Sequence, residues 1–179
     1  QYGGAEDPKF IAVTQFQESD ARRAFPCLDH PLKKATFDVE MVIDKNHVAL
    51  SNDAVFHEEQ LDNGKQRIRF QQTPKMSTYL VFFGVGEFRI MEDPEDPRVR
   101  IVSLPGREPY TRFGLEFGRK ALRFCEDYFD IPYPLRKMDL IAVPDFAFGA
   151  MENWGAITFR ENLLLHYTET TSKAGEERI

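Results

Sequence analysis

The sequence predicts a mainly β fold in its first part and an α+β arrangement in its second part. Between residues 9 and 88, apolar and polar side chains alternate with the two-residue period of half-buried strands. Between residues 109 and 130, apolar side chains instead recur at the spacing of an amphipathic helix. Short apolar runs flank that helical segment, so we expect a helix packed on a sheet.

The strands predicted in the first part form a pair of sheets or a saddle, and they differ in how fully they should be buried. Residues 35–44 alternate cleanly, so every second side chain should face a core. Residues 79–85 form a continuous apolar run, which indicates a strand covered on both faces. Asn63-Gly64, a strong β-hairpin signal, precedes the alternating residues 67–70. The further strand candidates are residues 9–13 and 48–50.

An acidic segment with two prolines, residues 92–97, separates the two patterns. Proline cannot donate a hydrogen bond to a β-ladder, so this segment should not be a central strand. We therefore expect residues 1–91 to belong to an all-β domain and residues 92–179 to begin a second domain. That second domain is expected to be incomplete, because the charged segment before Ile179 does not resemble a natural domain end.

The second part should consist of one long helix and three strands. Residues 99–102 predict a strand, and residues 138–143 are a short apolar run that predicts a buried one. Residues 156–160 alternate like a strand near a sheet edge. The helix should end before Pro132. An aromatic stripe on this helix is expected to face the core, although such a stripe could also line a cofactor site. Its residues are Phe113, Phe117, Ala121, Phe124 and Tyr128.

Composition and charge exclude several classes of protein. The net charge of −6 and the isoelectric point of about 5.3 argue against a nucleic-acid-binding protein, which would present a basic face. The sequence has no run of about eighteen apolar residues, as a membrane span would need, and no signal segment opens it. Cys27 and Cys125 form no disulfide framework, so we expect buried, unreactive thiols, which are compatible with the cytoplasm.

The loop between residues 138–143 and 156–160 is the strongest candidate for a functional site. It contains Gly149, Glu152 and Gly155. Glycine lets a ligand approach the backbone closely, and an edge strand can pair with an extended peptide. A single carboxylate at that edge could bind a cation such as the N-terminal amine of a peptide. The spacing alone also fits a bulge or turn that carries a solvated surface charge.

The residues of this loop resemble a known peptidase signature. Residues 149–153, Gly-Ala-Met-Glu-Asn, followed by Trp154 and Gly155, are identical to the exopeptidase signature of zinc aminopeptidases of the aminopeptidase N type. Residues 20–27 and 76–80 are also similar to this family. More narrowly, the chain resembles the archaeal tricorn-interacting aminopeptidase factors.

The resemblance implies a β-saddle or sandwich domain followed by the sheet lobe of a thermolysin-like catalytic domain. It also implies a zinc-dependent aminopeptidase that removes N-terminal residues from peptides. The implied partners are peptides with a free N-terminus and a larger peptide-degrading protease complex. Nucleic acid and membranes are not expected as partners, and the expected location is the cytoplasm.

The resemblance also assigns roles to individual residues. The family holds the substrate's ammonium group at the position of Glu152, with help from the position of Gln17, where it usually has glutamate. Gly149 and Ala150 would pair with the peptide backbone, whereas Asn153 should mainly support the loop. The full set of candidate substrate-binding residues is Glu152, Gln17, Gln15, Gly149, Ala150, Met151 and Asn153.

The zinc-binding motif of the family is missing from this sequence. The family holds zinc through His-Glu-x-x-His and a further glutamate. No two histidines of this chain are spaced as in that motif; they are His30, His47, His57 and His166. We therefore expect no catalytic or metal-binding residue and no bound zinc in this piece, which should be inactive alone, and we expect zinc in the complete enzyme.

Two other functions fit the same sequence. The first is a non-catalytic, β-rich interaction module that has lost its metal site. The second is a carbohydrate- or protein-binding sandwich, in which Glu152 would be incidental. Residues beyond Ile179 that carry the zinc motif would favour the enzyme over both.

Overall fold

The computed structural model describes residues 9–167, and these residues form two compact units. The first unit contains residues 9–87 and 152–156, and the second contains residues 88–151 and 157–167. Strands dominate the described chain, which has a single α-helix. The prediction of a mainly β fold with an α+β second part is therefore confirmed. No helix within the described residues is long and apolar enough to cross a membrane.

Six short strands form two three-stranded antiparallel sheets in the described part of the first unit. The strands are β1 (Ala12–Val13), β2 (Glu40–Asp44), β3 (Val48–Leu50), β4 (Val55–Gln60), β5 (Lys65–Phe70) and β6 (Gly84–Gly86). One sheet has the order β1-β6-β3, and the other has the order β2-β5-β4. An apolar cluster joins the sheets, because Ile43 and Ile68 come from one of them and Ala49 from the other.

The predicted hairpin connects β4 and β5. Asn63 and Gly64 adopt positive φ angles of 66° and 75°, which asparagine and glycine tolerate better than other residues. β4 itself is missing from the sequence-based prediction. All six of its residues are exposed, so its sequence carries no alternation of buried and exposed positions.

The predicted strand at residues 79–85 is wrong for most of its length. Thr78–Leu80 form a 3₁₀-helix, and only the end of the run enters β6. The run is nevertheless buried as expected, with Val81 and Phe82 at most 1% exposed. Side chains pair part of its backbone where no strand does; Asn52, for example, accepts a hydrogen bond from the Phe82 N–H over 3.0 Å.

A five-stranded mixed sheet and one helix build the second unit. The strands are β7 (Arg89–Glu92), β8 (Val99–Ser103), β9 (Met138–Val143), β10 (Ala150–Met151) and β11 (Ala156–Arg160). Their order is β10-β11-β9-β8-β7. Helix α1 (Arg112–Phe129) connects β8 to β9, and these two strands are parallel. The predicted strands at 99–102, 138–143 and 156–160 are confirmed, as is the helix.

Two glycines let helix α1 lie close to the sheet. A Cβ atom at Gly114 would stand 2.7 Å from Ile101 Cδ1 and 3.0 Å from the Leu164 carbonyl oxygen. A Cβ atom at Gly118 would stand 2.8 Å from Leu140 Cδ1. Both distances to the side chains are shorter than van der Waals contact, so a larger residue at either position would push the helix outward.

The aromatic stripe of α1 does not face the core, contrary to the prediction from its spacing. Within the described residues, Phe117, Phe124 and Tyr128 are 51%, 65% and 71% exposed. Phe113 and Ala121 are half-buried. The side of the helix that carries the two glycines packs on the sheet, because only small residues permit that close approach. The aromatic residues consequently lie on another side.

The acidic segment at residues 92–97 lies in a hairpin of the second unit. It connects β7 to β8, which pair in antiparallel fashion. Asp96 is buried and accepts hydrogen bonds from the Arg98 guanidinium over 2.9 and 2.8 Å. The charge of this segment is thus partly neutralised by an arginine only two residues away.

The two cysteines are less buried than the sequence predicts. Cys27 is half-buried, and Cys125 is exposed. Cys125 lies near the C-terminal end of α1, where residues 123–125 are all exposed. The expectation of two buried thiols is therefore wrong.

The close contact of α1 with the sheet predicts the effect of Gly114→Ala. Alanine favours a helix by about 1 kcal/mol over glycine, but overpacking typically costs about 1–3 kcal/mol. The Leu164 carbonyl is backbone and cannot rotate away, so we expect a net destabilisation of α1 by about 1 kcal/mol. Native-state hydrogen exchange of the α1 amides measures this local opening energy. Lys120→Ala on the exposed side should change it little, and equal protection in both variants would contradict the packing described.

The buried carboxylate of Asp29 predicts a loss of stability in acid. Burial disfavours its charged form, but hydrogen bonds from the Arg22 backbone N–H (3.1 Å), the Thr78 hydroxyl (2.8 Å) and the Arg22 Nε (3.2 Å) outweigh burial and lower its pKa. Because the pKa of Asp29 is lower in the folded than in the unfolded state, its charge stabilises the fold at pH values above the unfolded-state pKa of about 3.9. This stabilisation is lost as the pH falls through the folded-state pKa.

Thermal unfolding between about pH 3 and 6 should therefore show wild-type stability falling towards that of Asp29→Asn as the pH decreases. Asp62→Asn, which changes an exposed aspartate, is the matched control and should follow the wild-type curve. A constant gap between wild type and Asp29→Asn at every pH would show that the charge of Asp29 contributes nothing.

Candidate functional site

An arginine at the end of β11 holds the loop that leads into the motif. The Arg160 side chain donates from Nε to the Phe146 carbonyl and from Nη2 to the Ala147 carbonyl, each over 3.0 Å. Its backbone N–H donates to the Gly149 carbonyl over 2.9 Å. The three hydrogen bonds fix residues 146–149 against β11. The sequence pattern indicated no role for Arg160, which is the last residue of the strand predicted at 156–160.

The motif continues into the edge strand β10. Ala150 pairs with Phe159, and Met151 pairs with Thr158, both on β11. β10 is the last strand in the order of this sheet. The Met151 side chain is 1% exposed and holds the strand to the core, whereas Ala150 is exposed. The backbone of β10 is therefore the part of this strand that a further extended chain could contact.

Gly149 is not required by the packing of the described residues. It is exposed, and a Cβ atom built on it would meet only Leu163 Cδ1, at an ordinary distance of 3.5 Å. Its φ angle is not positive either. An alanine would fit here, so the described residues themselves do not require a glycine at this position.

Glu152 presents an exposed carboxylate. It belongs to the first unit, and within residues 9–167 it makes no hydrogen bond and no ion pair. A carboxylate in this state has all its acceptor capacity available for a ligand. A solvated surface charge would be exposed in the same way.

A turn follows Glu152 and is held by Asn153. The Ala156 N–H donates to the Asn153 carbonyl over 3.0 Å, and Asn153 Nδ2 donates to the Ala156 carbonyl over 3.3 Å. Gly155 has a φ angle of 70°, as the third residue of such a turn often requires. Asn153 is 1% exposed, and its Oδ1 atom has no hydrogen-bond partner in the described chain.

A second asparagine outside the motif also contacts this turn. The buried Asn52 donates from Nδ2 to the Trp154 carbonyl over 2.8 Å. Sequence reasoning missed Asn52, because Ser51-Asn52-Asp53 has the composition of a solvated turn. All three of these polar residues are in fact at most 2% exposed.

Gln15 and Gln17 lie on either side of a buried aromatic residue in the first unit. Phe16 is 5% exposed, and its ring packs against those of Phe25 and Phe83 at centroid distances of 6.1 and 6.0 Å. Both polar atoms of the Gln15 side chain are buried and have no hydrogen-bond partner among the described residues. Gln17 is exposed. The same unit also contains Glu152 and Asn153, whereas Gly149, Ala150 and Met151 belong to the second unit.

The described residues do not fit a zinc site. Within residues 9–167, no three side chains of histidine, cysteine, aspartate or glutamate lie together as metal ligands. A zinc site needs at least three such protein ligands.

Comparison with known protein families identifies the chain. Residues 1–80 match the Peptidase M1 N-terminal domain, and residues 113–179 match the Peptidase family M1 domain. The resemblance drawn from the motif is thereby confirmed. The chain belongs to the M1 family of peptidases.

Curated relatives of the chain include several aminopeptidases. The leucyl aminopeptidase of Saccharolobus solfataricus is 45% identical over 157 residues, which are 87% of this chain and 20% of the relative. The puromycin-sensitive aminopeptidase of Caenorhabditis elegans is 42% identical over 174 residues, which are 96% of this chain and 18% of the relative. The tricorn protease-interacting factor F2 of Thermoplasma acidophilum is 49% identical over 157 residues, which are 87% of this chain and 19% of the relative. The chain thus spans about a fifth of the length of these relatives.

The open surroundings of Gly149 predict that Gly149→Ala leaves the fold intact. The new methyl group would make an ordinary contact with Leu163, so we expect the stability of β10 and β11 to change by less than about 0.5 kcal/mol. Hydrogen exchange of residues 150–160 measures this change. Gly114→Ala, in which the methyl group does clash, is the control. A loss of protection at residues 150–160 in Gly149→Ala as large as that of the α1 amides in Gly114→Ala would contradict the prediction.

Proposed function

We propose that this chain is the part of a longer zinc-dependent aminopeptidase that recognises the N-terminus and backbone of a peptide. The observation that carries the proposal is the exposed Glu152 carboxylate, which has no partner in the described chain and directly follows an edge strand. Membership of the M1 family and the aminopeptidase relatives support the same activity.

Glu152 is proposed to bind the ammonium group of the substrate. An aminopeptidase must distinguish a free amine from a blocked one, and a carboxylate does so by pairing with the positive charge. A charge-assisted hydrogen bond of this kind contributes about 1.5–3 kcal/mol net. Acetylation removes the charge and a donor hydrogen, so a blocked peptide loses this interaction.

The backbone of Gly149 and Ala150 is proposed to pair with the extended peptide. The peptide would add a strand beside β10, with its main chain bonded to the sheet edge. The missing side chain at Gly149 would then leave room for close approach. Met151 contributes by holding β10 to the core, since its own side chain is buried.

Gln15 and Gln17 are proposed to complete the recognition of the N-terminal residue. The buried, unpartnered amide of Gln15 would gain hydrogen bonds from a bound peptide. Gln17 offers a neutral acceptor where the family usually has a second carboxylate. The proposed site therefore attracts the amine with one negative charge, and the Coulomb attraction is weaker than two would provide.

The rest of the proposal concerns the full-length protein. Zinc would be held by residues outside 9–167, because the described residues do not fit a metal site. Residues 1–91 would belong to an N-terminal all-β domain, and residues 92–179 to the start of a catalytic domain. Similarity to a tricorn protease-interacting factor supports association with a larger protease complex. We further propose a cytoplasmic location.

Glu152→Ala tests the proposed anchor in the full-length protein. We expect kcat/KM for a peptide with a free N-terminus to fall about 30- to 1,000-fold, because losing the charge-assisted hydrogen bond and leaving the ammonium without its partner together cost about 2–4 kcal/mol in the transition state. The preference for free over N-acetylated peptides should shrink as well. Asp145→Asn, which neutralises an exposed carboxylate of the same loop, is the control and should retain both values.

The outcome also separates the competing interpretations. Unchanged preference for free amines in Glu152→Ala would show that this residue is a surface charge. No turnover by the zinc-loaded, full-length wild type would favour the non-catalytic interaction module instead. Gly149→Ala, which should preserve the fold, is expected to raise KM for peptides if their backbone approaches this residue.

A further inference from the structure

A buried polar side chain outside the motif contacts the motif turn. Asn52 is 0% exposed and lies shortly after β3 in the first unit. Its Nδ2 atom donates to the carbonyls of Trp154 (2.8 Å) and Leu80 (2.7 Å). Its Oδ1 atom accepts from the Phe82 N–H over 3.0 Å. We propose that Asn52 is a positioning residue, which holds Glu152 where it can bind the substrate's amine.

The side-chain amide of Asn52 uses both of its donor hydrogens and its oxygen. A neutral amide offers two donors and one acceptor group, and here each has a backbone partner. Such a fully paired network in a buried site is rigid, because breaking one hydrogen bond leaves a polar group unpaired where water cannot reach it. Moving the Trp154 carbonyl would leave a buried donor unpaired. The carbonyl is therefore held in one place.

The hydrogen bond from Asn52 to the Trp154 carbonyl restrains Glu152 through a short stretch of backbone. The Ala156 N–H donates to the Asn153 carbonyl, which closes a turn that begins directly after Glu152. Asn52 fixes the carbonyl inside that turn. The Glu152 side chain thus projects from a backbone fixed on one side, although it is exposed itself.

The segment that Asn52 binds is also bonded to the chain just before Gln15. The Phe83 N–H donates to Thr14 Oγ1 over 2.9 Å, and the Thr14 N–H donates to the Phe83 carbonyl over 3.0 Å. Hydrogen bonds thus connect residues 80–83 to Thr14, which precedes Gln15, and through Asn52 to the turn that follows Glu152. Asn52 supplies the connection on the Glu152 side.

Substitutions at residue 52 test this role. The proposal rests on the proposed function of Glu152, so Glu152→Ala is measured beside them. Asn52→Ala removes the whole amide, and Asn52→Asp keeps its volume and acceptor but has no donor when ionised. Gln66→Ala is the matched control, because Gln66 is another buried amide of this unit, and its hydrogen bond to the His47 carbonyl (2.9 Å) does not involve the motif.

Two quantities are measured in the full-length protein: hydrogen exchange of residues 152–156, and the ratio of kcat/KM for a free and an N-acetylated peptide. In Asn52→Ala we expect exchange to rise and the ratio to fall, each by about tenfold, since a buried hydrogen bond to the turn is lost. Gln66→Ala should change neither by more than about twofold, because Gln66 shares no hydrogen-bond partner with the turn in the described chain.

The results distinguish failure of this proposal from failure of the proposed function. If Glu152→Ala lowers the ratio and the Asn52 variants do not, the positioning role is wrong while the anchor stands. If Glu152→Ala leaves the ratio unchanged, the proposed function fails, and the role of Asn52 in it fails too. Where Asn52→Ala yields no folded protein, normal exchange and a normal ratio in Asn52→Asp would overturn the proposal.

Discussion

Buried backbone that belongs to no sheet still needs hydrogen-bond partners, and in the first unit side chains supply several of them. The run before β6 is apolar and buried, yet it does not enter a strand until Gly84. Unpaired N–H and C=O groups inside a protein are unfavourable. Asn52, Ser51 and Thr14 supply the missing partners. The position of this segment is therefore set by polar contacts, around which the apolar side chains fill space.

In the second unit the corresponding constraint is the close approach of helix α1 to the sheet. Gly114 and Gly118 leave no room for a Cβ atom against β8 and β9. Leu115 and Leu122 then fill the core beside the same strands. This packing fixes β9, next to which β11 and finally β10 are added in the order of the sheet. The motif strand is thus the outermost element of a sheet whose centre is held by the helix.

The sequence was sufficient for features that depend on local pattern. The buried strand at 138–143, the alternating strand at 156–160 and the Asn63-Gly64 hairpin are all where they were predicted. It failed where tertiary contacts override the pattern. An apolar run predicts burial but not whether a strand or a side chain pairs its backbone, as residues 79–85 show. Similarly, helical spacing reveals a stripe on α1 without revealing that glycines on another side pack on the sheet.

The same distinction explains which parts of the candidate site a motif can reveal. Gly149, Ala150 and Glu152 are exposed, and a ligand would contact them directly. Their chemistry can therefore be recognised from a short stretch of sequence. Their support comes from Asn52 and Arg160, of which Asn52 lies far from the motif along the chain. Asn52 looks like an ordinary turn residue until its burial is known. The residues that would recognise a peptide can therefore be read from sequence, whereas those that hold them rigid become visible only when the chain is folded.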